Sequence, residues 1–223
     1  MRTLMFSALL AFAATAAADA ADARKPPDVI VRDTVQSLAA LISDCRLPLA
    51  TDPQALRGVV DKYIRPKADV LYAGQLILGR YWADADPDQR RRFAEALYGT
   101  LVSRYATGLL VLTAGTVVVV PPAETVGNDG HAAVEVRVQA GLATPVPAQL
   151  QMRKGSARWR AYDARWEGQS YVLSLRQVFA EQIRRDGLDP VIRRLEASAG
   201  SPVSAPEERP TAAGRCLRAR AEG

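Results

Sequence analysis

Histidine occurs once in this sequence, cysteine twice, and aromatic residues make up only 6 % of it. A lone His131 and the distant Cys45 and Cys216 cannot complete the tetrahedral ligand set of a structural zinc site. No glycine-rich phosphate loop with a following lysine is present, and there are no internal repeats. Beyond the N-terminal region no stretch reaches the roughly 18 consecutive apolar residues that a membrane-spanning helix needs, so the mature protein is expected to be soluble. An activated nucleophile with an aligned base is missing as well. Gly168, Gln169 and Ser170 open like a nucleophile elbow, but Val172 stands where the closing glycine belongs. His131 follows a turn and reads as a surface residue. Asp163 and Glu167 would form an acid pair only inside a cleft; at a strand-to-helix corner they are expected to bond backbone instead. No catalytic residue is assigned.

What is present begins with an export signal. Arg2 supplies a positive start, residues 4–14 are almost unbroken apolar residues, and small residues follow at Ala16, Ala18 and Ala20. This reads as a cleaved signal peptide over 1–20, with cleavage before Asp19 or Ala21, and a periplasmic destination. Residues 21–27 read as a linker, 28–197 as one domain, and 198–223, rich in Ser, Ala, Pro and charge, as a disordered tail. In an oxidising compartment two cysteines permit a Cys45–Cys216 disulfide. The alternative is two unpaired thiols, with Cys45 a small core residue. The net charge of +5 and pI of about 9.5 favour anionic partners, and export argues against nucleic acid.

Hydrophobic periodicity divides the domain. Val31, Val35, Leu38 and Ile42 recur at helical spacing. Asp52 with Pro53, and Asp86 with Pro87 and Gln89, are helix starts. The second of these introduces Phe93, Leu97, Leu101 and Tyr105, with Gly108 as the expected end. The period then changes. A β-branched run over 117–120, alternation over 132–139 and 146–153, and a strand over 158–166 predict an antiparallel meander of about four strands. Helices resume over 170–185 and from Asp189. Helices, strands, helices is an α+β order, with helices packed on one sheet face.

Two blocks carry a resemblance. Trp159, Tyr162, Asp163, Glu167, Gly168 and Ser170 form a W-x-x-Y-D and Glu-Gly-x-Ser pattern, followed by Arg176, Phe179, Gly187, Leu188 and Leu195. Earlier, Leu78, Gly79, Trp82, Gln89, Phe93 and Tyr105 recur in order. Together they resemble the MlaC, or toluene-tolerance, family of periplasmic phospholipid carriers. The resemblance implies a curved antiparallel sheet packed against helices, NTF2- or cystatin-like, with an apolar pocket between the layers for acyl chains. It implies a shuttle, not an enzyme, that maintains outer-membrane lipid asymmetry. Its implied partners are phospholipid, an inner-membrane Mla-type ABC transporter complex and an outer-membrane lipoprotein–porin complex. A monomer without cofactor is expected, the lipid being cargo. A related hopanoid-associated branch is a variant of the same reading.

On this reading Val134, Val136, Leu150 and Met152 line the pocket from the sheet. Val60, Leu76, Leu97, Leu101, Tyr105, Val172 and Leu175 face them from the helices. The alternative for each is a dry, filled core. Two rival functions remain at this point: an exported interaction module without lipid, and a hydrolase using Ser170 or the Asp163–Glu167 pair.

Overall fold

Aspartate and proline set the helix starts in the computed structural model, which describes residues 25–113, 115–126, 130–139, 144–156, 158–199 and 211–222. The expected signal peptide and most of the expected linker lie outside these residues. Pro26 is extended and Pro27 takes the first position of α1 (Pro27–Ala50). Asp52 accepts a hydrogen bond from the Ala55 amide at 2.9 Å and opens α2 (Pro53–Tyr63). A short 3₁₀ turn, Arg65–Lys67, leads to α3 (Val70–Leu78), capped by Asp69, and then α4 (Tyr81–Asp84). At α5 (Pro87–Tyr105) Asp86 and Gln89 form a reciprocal capping box. The chain does not stop at Gly108 but tightens into a 3₁₀ segment, Ala106–Val111.

The strands are β1 (Val117–Val126), β2 (His131–Val138), β3 (Val146–Lys154), β4 (Trp159–Trp166) and a two-residue β5 (Gln169–Ser170). They form one antiparallel meander in chain order. Val134 pairs with Leu150 and Val136 with Ala148, so alternation puts the apolar residues of both strands on one face. Edge strand β1 tolerates Pro121 and Pro122 because its register breaks there, between Val120 and Glu124. The sequence was expected to yield about four strands; the fifth is created by the turn at Glu167 and Gly168. Both adopt positive φ, 49° and 79°, as a two-residue hairpin demands.

Helices α6 (Tyr171–Asp186) and α7 (Leu188–Ser198) follow, so the architecture is α+β, with eight helices among the described residues. The expectation of a disordered tail over 198–223 needs correction. Residues 200–210 lie outside the described set, but Ala212–Glu222 is an eighth helix, α8. Its Ala213 is buried against α1 and α2, and Cys216 is disulfide-bonded to Cys45 with a Cα–Cα distance of 6.0 Å. Polar composition hid a helix that tertiary contact and a covalent bond hold in place.

Three apolar clusters make the interior. In the first, Phe93 and Phe179 meet edge to face at 5.3 Å, surrounded by Leu78, Leu97, Val172 and Ile192 from α3, α5, α6 and α7. The second joins the latter half of α1 (Leu38, Leu41, Ile42, Leu49) to Leu56 and Val59 of α2. The third lays the opening turns of α1 (Ile30, Val31, Val35) on the inner sheet face at Val119, Val134, Val136 and Met152. Helix α1 therefore bridges two clusters: one end covers the sheet, the other is anchored among helices.

Candidate functional site

The residues expected to line a pocket do not all meet. Val134, Val136 and Met152, with Leu150 half-buried beside them, gather in the sheet cluster. Leu97 and Val172, with half-buried Leu76, Leu101 and Leu175, gather in the helical cluster around Phe93. Val60 is buried on α2, in neither of these two groups. Tyr105 is 54 % exposed at the end of α5, its hydroxyl 3.2 Å from that of Tyr171. The sheet residues pack on the opening turns of α1, while those of α3, α5 and α6 gather in a separate cluster. The stripe through Ile30, Val31 and Val35 continues into Leu38 and Ile42. Ile30 is the residue that periodicity alone did not single out. Its stripe was visible, but not the surface that the stripe would cover.

Beside this cluster a cleft of about 440 Å³ opens between α1 and the corner formed by α2 and the 3₁₀ turn. Its volume falls in the range of small-molecule sites, roughly 300–1,000 Å³. Ile30, Asp33, Thr34 and Ser37 form the α1 wall, and Tyr63 and Lys67 lie opposite. Ile30 belongs both to this wall and to the sheet cluster. Most of the cleft's lining residues are polar or charged, and Ile30 joins it to the apolar sheet cluster.

The conspicuous polar motif serves the fold. Ser170 Oγ donates to Asp163 Oδ2 at 2.6 Å and accepts from the Leu173 amide at 3.0 Å, while Asp163 Oδ1 accepts from the Val172 amide at 2.9 Å. Both side chains are engaged at the start of α6, which they cap. Gly79, at φ 54°, leaves room for Arg176, whose Nε donates to the Leu76 carbonyl at the end of α3. On the opposite sheet face, Arg153 Nε pairs with buried Asp69 at 2.7 Å and stacks 4.0 Å over the Tyr72 ring. His131 joins this group through Tyr162, 3.3 Å away.

Two phenols are displaced from ordinary acidity. Burial, and then the nearby Asp61 carboxylate, hold Tyr98 well above the usual tyrosine range. Burial and the hydrogen bond to Tyr105 push Tyr171 up to about 12. None of the helices among those residues is long and apolar enough to cross a membrane.

Comparison with known proteins gives consistent matches. The family profile described as MlaC protein matches residues 32–197. The intermembrane phospholipid transport system binding protein MlaC of Haemophilus influenzae is 24 % identical over 204 residues, covering 90 % of this chain and 94 % of that protein. A phospholipid-binding protein from Ralstonia solanacearum, solved in complex with a phospholipid, superposes with a TM-score of 0.69 at 23 % identity. That superposition covers 78 % of this chain and 97 % of the other, and it is a likeness of fold.

Proposed function

The chain belongs to the MlaC family, and from that premise we propose that it is a periplasmic phospholipid shuttle rather than an enzyme. It would carry lipid between the outer and inner membranes and so maintain outer-membrane lipid asymmetry. Its docking partners would be an Mla-type ABC transporter complex and an outer-membrane lipoprotein–porin complex. The observation that carries the reading is the inner sheet face. Val134, Val136 and Met152 are covered by the opening turns of one helix, beside a cleft that reaches them through Ile30. Acyl chains could occupy that face when α1 yields, and Leu76, Leu97, Leu101, Val172 and Leu175 would supply a deeper wall. The phospholipids named for the two relatives support the same cargo.

Energetics explain why such a carrier needs no catalysis. Burying a CH₂ group is worth about 0.8 kcal/mol, so about 30 of them in two chains make release into water cost on the order of 20 kcal/mol. In a bilayer the chains are already buried. Transfer between protein and membrane is then nearly balanced, and docking partners set its direction. Native mass spectrometry of the mature protein from its own periplasm tests this. A bound phospholipid mass, released on denaturation, is expected. A bare protein mass that also takes up nothing from phospholipid vesicles would remove the reading.

A further inference from the structure

Two apolar stripes run side by side through the helical layer. On α5, Phe93, Leu97, Leu101 and Tyr105 recur at i, i+4 spacing; on α6, Phe179, Leu175 and Tyr171 do so in the opposite direction. The stripes meet at both ends. Phe93 and Phe179 touch edge to face at 5.3 Å, and the Tyr171 hydroxyl donates to that of Tyr105 at 3.2 Å. Exposure climbs along them. Phe93 and Phe179 are 0 % and 7 % exposed, Leu101 and Leu175 are half-buried, and Tyr105 and Tyr171 reach 54 % and 41 %. An apolar track therefore leads from the buried interior to the surface, where two phenols stand at its end.

The inner sheet face reaches the same corner. Val136 pairs with Ala148, and Ala148 with Trp166, so the three side chains share one face. Val136 is buried, Ala148 half-buried and Trp166 exposed. Trp166 pairs across the β4–β5 turn with Gln169, two residues before Tyr171. Val178, exposed as well, lies seven residues after Tyr171 and so on the same flank of α6.

The geometry points to this corner, formed by Trp166, Tyr105, Tyr171 and Val178, as a docking surface for the headgroup layer of a lipid bilayer. The proposal rests on the carrier reading and adds to it the surface through which lipid passes. A lipid leaving across a polar face would draw its acyl chains through water, against the hydrophobic effect. At this corner the helical track and the sheet row both come to the surface, so chains can pass from protein to bilayer without that step.

The side chains suit such a boundary. Tryptophan and tyrosine join an apolar body to a polar tip, which favours the zone between acyl chains and water. Tyr105 accepts from Tyr171 and can donate in turn to a phosphate or ester oxygen. Arg104 and Arg165 are exposed at the same corner, against Glu167 in the turn. Burial and the hydrogen bond to Tyr105 raise the Tyr171 phenol while Arg104 acts against them, which puts that guanidinium beside the phenol pair. Cations so placed favour a bilayer that contains acidic lipid.

Flotation of the full mature protein with vesicles is the test. One set holds phosphatidylcholine alone, the other equal amounts of phosphatidylcholine and phosphatidylglycerol. Attachment to both is expected, stronger to the mixed set and weakened there by salt. The double variant Trp166→Ser, Val178→Ser should attach about tenfold more weakly to either set. Arg104→Gln should lose about fivefold on the mixed vesicles and little on the neutral ones. Circular dichroism accompanies the variants, and Arg104→Gln decides the matter if the double variant misfolds. An Arg104→Gln protein that attaches to mixed vesicles like the unaltered one would overturn the surface, as would a folded double variant that does so. Failure of the unaltered protein to float would overturn it too. If that protein nevertheless retains phospholipid once the vesicles are removed, the carrier reading stands and the corner is left to a protein partner. Attachment with no lipid retained would keep the surface and remove the carrier.

Discussion

Asp163 uses both carboxylate oxygens at the entry to α6, one for the Ser170 hydroxyl and one for the Val172 amide. Replacing it with alanine leaves those donors without their acceptor, which costs about 1–3 kcal/mol for buried groups. Urea denaturation of Asp163→Ala should show a loss of that size, and lipid occupancy of the folded fraction should be unchanged. A loss of lipid at full stability would contradict the capping role. Tyr171 offers a second test. Its phenol is pushed up to about 12 by burial and by Tyr105. The folded value lies above the unfolded one, near 10, so this group's stabilising contribution is present below about pH 10. It declines as pH rises through the folded value. Alkaline titration of the Tyr171 ring by NMR should give a late midpoint, and Tyr105→Phe should bring it down. These residues were legible as a motif in the sequence; their task at the strand-to-helix corner needed only the expectation that a carboxylate there bonds backbone. The positive φ of Glu167 was not legible, because glutamate carries no preference for it.

Helices announced by side-chain chemistry were legible as elements. Asp52 with Pro53 and Asp86 with Gln89 mark their starts by local hydrogen bonds that involve no distant partner. Strands β2 and β3 were legible because one face is buried and alternation records it. Element α8 was not, since it offers only Ala213, Cys216 and Leu217 to the core amid arginines. Its helix depends on α1, far away in sequence. The disulfide joins α8 to α1, and removing such a bond typically costs about 2–4 kcal/mol. Cys216→Ser should lower the urea midpoint accordingly while the remaining domain stays folded, because the first and third clusters contain nothing from α8. Reducing agent should have the same effect on the unaltered protein and none on the variant.

Across the whole molecule, periodicity told which faces are buried but not which face meets which. Val136 and Leu101 both carried the right pattern, yet they lie in different clusters. That partition makes a quantitative expectation. Val136→Arg, on the sheet face beside the cleft, should abolish most lipid occupancy. Leu101→Arg, half-buried in the helical cluster, should reduce it less. Circular dichroism should accompany both, with occupancy read by extraction and mass spectrometry from the folded fraction. Equal occupancy in folded Val136→Arg and unaltered protein would remove the sheet face from the site.

The bond between Cys45 and Cys216, separated by 171 positions, also gives the molecule the topology of a ring. A protease that cuts one peptide bond anywhere between them opens the ring but divides nothing, and a gel run without reductant would still show one full-mass species. Only a second cut, or reduction, frees a fragment. Damage to the segment between α7 and α8 therefore leaves α8 tethered to the helix it packs against, ready to re-dock.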